Sequence, residues 1–379
     1  MRVIHFSERY SVSTETFIRQ FFTKSCEFGE SRFLCFEATS SDERVKILPQ
    51  IAYKRKSILG FIRWMISLLS VRKKWEKSFL KEIDNEQAEV IHVHFGTSFV
   101  SLKHLILSGK ISIPVVVSFY GYDISAKPLK DEKYAKEIGQ LLSLPNVYAF
   151  GEGPELCKKI EFFVADRSRI IVNPLIVQLP KNGHQAQFGS LLKVLMIGRF
   201  IEKKGFHLAL LALGELIEKI PFFEIILIGT GPMEEEYRSI ARRYNMEDRL
   251  TFLGLRSHKE VLEALQNSDF FLHPSVTAAN GDSEGGAPTI IIEAQAAGLP
   301  VIASDHADIP YVMGYHDFIS HEGSLESLKS VILKAVFAKN LEHLIEKGIL
   351  HVQKQHAFED STIYEDNLKK IINNFEANN

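Results

Sequence analysis

Apolar positions along the 379-residue chain fall into short runs separated by stretches with helical spacing. Val3 to Phe6 predicts a strand, and the pattern from about Thr14 predicts a helix. "EVIHVHF" ending at Phe95 and "PVVVSFYG" ending at Gly121 predict buried strands followed by turns, and "NVYAFGEG" and "RIIVNP" (169–174) repeat the signal. Runs apolar on both faces, alternating with helices, predict a parallel sheet covered on both sides. The polar stretch "QLPKNGHQAQFG", 178–189, marks a domain boundary. A second alternation follows: strand "LKVLMIG", helix from about Gly205 to Lys219, strand "FEIILIG", helix from about Met233 to Tyr244, strand "LTFLG", helix from about Lys259 to Asn267, strand "DFFLHPS", and later strand "LPVIASD" before a helical C-terminus. The pattern is α/β: two doubly wound Rossmann-like domains, 1–180 and 190–355, facing a central cleft, with a C-terminal helix in 356–379 crossing back to the first. Such folds bind ligands at the carboxyl ends of their strands, so the cleft is the expected site.

Composition narrows the class. With 45% hydrophobic and 24% charged residues and a net charge of −2, the chain reads as a globular protein of two domains, and no nucleic-acid partner is expected. Cys26, Cys35 and Cys157 make neither an even set nor a CxxC pair, so a reducing compartment, the cytoplasm, is expected. The opening residues lack the apolar core of a signal peptide, and no export is expected. Ser57–Val71 is too short and too interrupted, by Arg63, to span a bilayer. Tyr53–Lys77 carries eight basic residues against one acid, with Phe61, Trp64 and Trp75 among them. It reads either as an amphipathic helix on an anionic membrane surface or as a core helix with solvated flanks.

Chemistry concentrates in two places. In "MIGRFIEKKGFHLAL" a strand ends at Gly198, leaving Arg199, Lys203 and Lys204 in the loop, where they suit an anionic ligand or make a solvated charged loop. A unit charge pair at 4 Å contributes roughly 4 kcal/mol at a dielectric of 20, enough for two cations to hold a diphosphate. In "GDSEGGAPTIIIEAQAAGLP", 281–300, Pro288 suits the first position of a helix, and Gly285, Gly286 and Ala287 leave room for backbone to approach a ligand at the helix's positive end. Glu284 precedes that helix and Glu293 lies about 7.5 Å along it from Pro288. That offset fits two contacts along one ligand better than the paired carboxylates of a glycoside hydrolase, which stand about 5 to 9.5 Å apart across the bond they cleave. "IGTGPMEEE" lacks a third glycine and has three acids where a pyrophosphate would sit, so it reads as a structural turn. His92 and His94 share one strand face, yet no third metal ligand is evident and the chain has no Asp-x-Asp; no metal is expected.

"GRFIEKKG", "FLG" at 252–254, "HPS" at 273–275 and "EGGAPTIIIEAQAAGLPVIASD" follow in the order and roughly the spacing of the donor domain of retaining GT-B glycosyltransferases, glycosyltransferase family 4. "STETFI", "IHVHFG" and "FYGYDIS" extend the resemblance to the first half, toward members that build bacterial capsule, exopolysaccharide or lipopolysaccharide. The resemblance implies a GT-B fold and metal-independent, retaining transfer of a hexose-type sugar from a UDP- or GDP-linked nucleoside diphosphate sugar to a glycan or lipid-linked glycan acceptor, without a cofactor. It places Arg199 and Lys204 on the diphosphate, Glu293 on the ribose, Glu284 on the sugar with Gly285, Gly286, Ala287 and Thr289 beside it, and backbone near Leu255 on the base. Thr16, Tyr120, Gly121 and Asp123 would line the facing side. Two features depart from the family: eight residues rather than seven separate Glu284 and Glu293, and Tyr120 stands where a histidine is usual before the Gly-x-Asp turn. A catalytically idle nucleotide-sugar-binding partner of a polysaccharide assembly complex is the alternative reading, and a location at the inner face of the plasma membrane would follow if 53–77 is a surface helix.

Overall fold

The computed structural model describes residues 1–10, 16–39, 42–49, 58–164, 166–178 and 191–378, with the backbone alone over 58–71. The polar boundary segment, apart from its first residue, and the residues just before Thr16 lie outside this set. The chain divides into two compact units: Met1–Gly151 with Cys157–Asn173 and Thr362–Asn379, and Glu152–Leu156 with Pro174–Ser361.

The first unit is built on strands β1 (Arg2–Phe6), β3 (Glu30–Cys35), β5 (Val45–Ile47), β6 (Val90–His94), β7 (Val115–Ser118), β8 (Val147–Gly151) and β9 (Ile170–Val172), all parallel in the order β5-β3-β1-β6-β7-β8-β9. A small parallel pair, β2 (Arg9–Tyr10) with β4 (Glu37–Ala38), lies beside it. Strands β6, β7 and β8 are buried at every position, as runs apolar on both faces require. Strand β3 escaped the pattern because its first half, Glu30–Arg32, is polar and only Phe33–Cys35 is buried. The helix Ile58–Asn85 packs its C-terminal half on this core, with Phe79 edge-on to Phe6 at 5.5 Å and Trp75 against Phe36 at 5.6 Å. Burying a side chain such as Phe79 stabilises the fold by about 1.5–3 kcal/mol. Exposed Lys73 and Lys74 lie on the same helix, while Arg72 bonds the buried Glu76 at 2.8 Å. Among the described residues no helix is long and apolar enough to cross a membrane.

The second unit is built on β10 (Leu192–Ile197), β11 (Phe223–Ile228), β12 (Leu250–Gly254), β13 (Phe270–His273), β14 (Val301–Ser304) and β15 (Ile319–Ser320), parallel in the order β12-β11-β10-β13-β14-β15. Both sheets therefore run outward from their first strand in two directions, the doubly wound arrangement. The order reverses between β1 and β6 in one sheet and between β10 and β13 in the other. Ligands in open α/β sheets bind beyond the carboxyl ends of the strands at such reversals.

Candidate functional site

In the second unit, the segments that follow β10 and β13 meet beyond the strand ends. Gly205 takes φ +67°, and a Cβ there would overlap the Pro274 carbonyl, so only glycine lets the two segments come this close. The turn Glu202–Lys204 separates its two lysines. Lys203 is buried and turned inward, 3.2 Å from Asp282 and donating to the Ser283 carbonyl at 3.1 Å, so it holds the loop rather than facing a ligand. Lys204 forms an ion pair with Glu284 at 2.7 Å. Arg199 is exposed and has no ionic partner among the described residues.

Glu284 is held on every side. Ser275 donates to its Oε1 at 3.2 Å, His273 Nε2 lies 3.9 Å away, and its own backbone N–H donates to His306 Nε2 at 3.0 Å. Burial alone would raise this carboxyl, but the Lys204 ammonium, aided by His273 and Lys203, holds it well below the usual carboxylate range. Burial pushes the His273 imidazole down to about 4. Ser275, His273 and His306 were not found as partners of Glu284 from the sequence, because each lies on another strand end.

The stretch after Glu284 departs from expectation in two respects. Pro288 is the residue before the helix Thr289–Ala296, with ψ 128°, rather than its first residue; the helix starts one position later and its first turn has no side-chain cap. Gly286 is buried, and a Cβ there would overlap the Glu152 carboxylate, so its small size serves that approach. Glu293 sits inside the helix, with His258 Nε2 3.1 Å from its Oε1. The two acids thus have separate partners. Thr289 is half-buried, and Leu255, just after the left-handed Gly254, is 77% exposed.

In the first unit, Thr16 starts the helix Thr16–Phe28, and Tyr120, Gly121 and Asp123 form the turn after β7. Asp123 is buried and points inward: Oδ2 accepts from Gly96 N–H at 2.8 Å and Oδ1 from Tyr120 N–H at 3.1 Å, while Tyr134 donates to its carbonyl at 2.8 Å. Burial pushes its carboxyl up to about 6 against the pull of those amides. Its work is to tie the turn after β7 to the loop after β6. Phe95, in that loop, has φ 70° and ψ 140°, a conformation that costs a non-glycine residue about 1–3 kcal/mol and persists only where the surroundings enforce it. Its ring and that of Phe17 pack on Tyr120 at 4.9 and 4.5 Å.

Beneath Tyr120 lies a histidine cluster. His5 is paired in register with His92, and His94 is two residues further along the same strand face. All three are fully buried, and together they form the one group of metal-ligating side chains among the described residues. All six ring nitrogens have hydrogen-bond partners: His5 with His94 (3.0 Å) and Ser25 (2.9 Å), His92 with Tyr364 and Ser118 (both 2.7 Å), and His94 with Tyr120 (2.7 Å). Burial, then repulsion from His92, drives the His5 imidazole well below its ordinary value, and burial alone brings His92 to about 3. The cluster reads as a neutral hydrogen-bond network. His5 was missed as its third member because its place beside His92 depends on strand pairing.

A family match falls in the second unit, which carries Arg199, Lys204 and Glu284. Residues 184–349 match the family described as glycosyl transferases group 1. This part of the chain is a group 1 glycosyltransferase domain. The group 1 domain lies within a chain that is 30% identical over 233 residues to WcaL of Escherichia coli (strain K12), named for colanic acid biosynthesis, covering 59% of this chain and 55% of that protein. It is 29% identical over 259 residues to the amylovoran biosynthesis glycosyltransferase AmsK of Erwinia amylovora, covering 65% and 61%. The match thus spans little more than half the length of these curated relatives. Among solved structures, Anabaena HepE in complex with UDP and glucose superposes with a TM-score of 0.73 at 16% identity, covering 98% of this chain and 99% of that one. WaaG, a glycosyltransferase of lipopolysaccharide biosynthesis, superposes with a TM-score of 0.66 at 15% identity, covering 97% and 99%. The fold around the group 1 domain is GT-B.

Proposed function

We propose that the chain moves a hexose-type sugar from a UDP- or GDP-linked nucleoside diphosphate sugar to a glycan or lipid-linked glycan acceptor, with retention of configuration and no metal in the site, in bacterial surface polysaccharide synthesis. The observation that carries this reading is the ion pair between half-buried Lys204 and buried Glu284, with exposed Arg199 following the end of β10, at the strand ends where β10 and β13 diverge. Support comes from the polysaccharide-synthesis names of WcaL and AmsK and from the UDP bound in HepE.

On this reading Arg199 and Lys204 hold the diphosphate. When the bond from the anomeric carbon to the diphosphate oxygen breaks, the electron pair leaves with the diphosphate, and these cations, with the uncapped amides in the first turn of the helix Thr289–Ala296, meet the growing charge without reorganising. Lys204 serves both sides, since it also keeps Glu284 ionised and able to accept from sugar hydroxyls. Glu293 accepts from the ribose, backbone near Leu255 meets the base, and backbone at Gly285 and Ala287 borders the sugar. Tyr120 and Gly121, with Thr16, border the substrate in the first unit, and Asp123 shapes their turn. Location at the inner face of the plasma membrane, through 53–77, belongs to the same reading, and sedimentation with anionic lipid vesicles tests it.

The deciding experiment incubates the purified chain with UDP- and GDP-linked sugars in the absence of acceptor. Slow release of free sugar from one of them, with thermal stabilisation by the matching nucleoside diphosphate, is expected. Stabilisation without any release would point to the idle binding partner, and the absence of both effects would overturn the proposal.

A further inference from the structure

Lys204, Glu284, His306 and Glu322 follow the ends of four neighbouring strands, in the sheet order β10-β13-β14-β15. Lys204 holds the Glu284 carboxylate, whereas the last two hold the loop 277–284 by its backbone. The Glu284 peptide N–H can only donate, and it does so to His306 Nε2 at 3.0 Å, so that nitrogen is bare. The buried imidazole then carries its proton on Nδ1. That atom is closed to solvent and lies 2.9 Å from Glu322 Oε2, at ion-pair distance rather than in an aligned hydrogen bond. Glu322 Oε1 meanwhile accepts from the Thr277 N–H at 2.6 Å, and the Glu322 N–H donates to Asp305 Oδ1 at 2.6 Å, which fixes its backbone. One exposed carboxylate thus ties both ends of the loop that presents Glu284.

The relay begins and ends on a peptide N–H, and the imidazole supplies one donor and one acceptor. The remaining link must therefore accept on both of its atoms. An ionised carboxylate does so, and an amide of the same shape does not. Burial would raise the Glu322 carboxyl, but His306 and the Thr277 N–H hold it below its ordinary value. We propose that Glu322 is a positioning residue: through His306 it holds the Glu284 peptide, and through its other oxygen the far end of the same loop, so that the Glu284 carboxylate is in place before a sugar nucleotide arrives. A group that contacts substrate has to be held within about 0.5 Å of its working position, and supporting hydrogen bonds of this kind do that. The inference rests on the proposed nucleotide-sugar reaction for what Glu284 contacts, but not for the relay itself.

Two measurements on the full chain separate these. Nitrogen-15 NMR at neutral pH is expected to show His306 as the Nδ1–H tautomer. Glu322→Gln keeps the shape but sets an N–H against one of the two donors, and should speed hydrogen exchange of the Glu284 amide by about tenfold. With UDP-glucose and GDP-mannose as probes, the same variant should weaken binding of the accepted sugar nucleotide by about tenfold, the loss of one hydrogen bond, with UDP and GDP binding unchanged. Equal loss for sugar nucleotide and free diphosphate, the mark of a loosened fold, overturns the positioning role. So does an Nε2–H tautomer at His306 in the parent protein, or sugar-nucleotide affinity that Glu322→Gln leaves unchanged. An Nδ1–H tautomer and faster exchange in the variant, with no binding of either probe by the parent, instead overturn the proposed reaction and leave the relay standing.

Discussion

The two units thread their central strands in the same order and fill the equivalent places with opposite chemistry. Where β10 and β13 diverge stand Arg199, Lys204 and Glu284, all charged. Where β1 and β6 diverge stand His5, His92 and His94 with Tyr120, all uncharged and wired by hydrogen bonds. Shared topology creates a location, and the side chains decide what it recognises. Coulomb attraction declines gently with distance and holds a phosphate in any of several poses. Hydrogen bonds depend steeply on angle and on which partner owns the proton, so a neutral network can tell one hydroxyl arrangement from another.

Removing one half of the charged pair should have the largest effect. Lys204→Ala leaves the Glu284 carboxylate buried and unpaired, and urea unfolding should show a loss of about 3–5 kcal/mol. The Glu284 carboxyl is depressed in the folded chain, so its contribution is present above its unfolded value and lost as pH falls through the folded one; the variant should lack that acid-side loss. Arg199→Ala should contrast with it, leaving the unfolding midpoint in place while lowering transfer about 10²-fold; a folded variant with near-normal turnover would sink the leaving-group role. Glu293→Ala should weaken nucleoside diphosphate binding by roughly tenfold or more, read by calorimetry, and an unchanged dissociation constant would count against the ribose contact. The smallest effect belongs to the uncharged side. Asp123 is raised to about 6, so the folded state holds its proton longer and stability should decline between about pH 4 and 6, at no more than about 1.4 kcal/mol per unit; Asp123→Asn should remove that slope.

Much of the frame was legible in the pattern of residues. Runs such as Val115–Ser118 and Phe270–His273 read as buried strands because both faces are apolar, and the second sheet emerged almost whole. What escaped was short or mixed in polarity: Glu30–Cys35 begins polar, and Val45–Ile47 and Ile319–Ser320 are edge strands of three and two residues. At the site, single residues were visible but not their partnerships. Lys204 and Glu284 are joined only because β10 pairs β13, and His5 joins His92 only because β1 pairs β6. One-dimensional patterns carry local periodicity and turn chemistry, whereas these pairings are set by which strands become neighbours. Gly286, read as room for a ligand, has its close neighbour in Glu152, far back along the chain.

The residues Thr362–Asn379 belong to the first unit, where Tyr364 bonds His92 at 2.7 Å. During synthesis at about 5–20 residues per second, the ribosome spends roughly 10–40 s making the stretch between Asn173 and Thr362 before that helix emerges. For that interval the nascent first unit carries an unsealed groove over its histidines. The second unit, finished earlier, can fold while the one begun first is still waiting for its last piece.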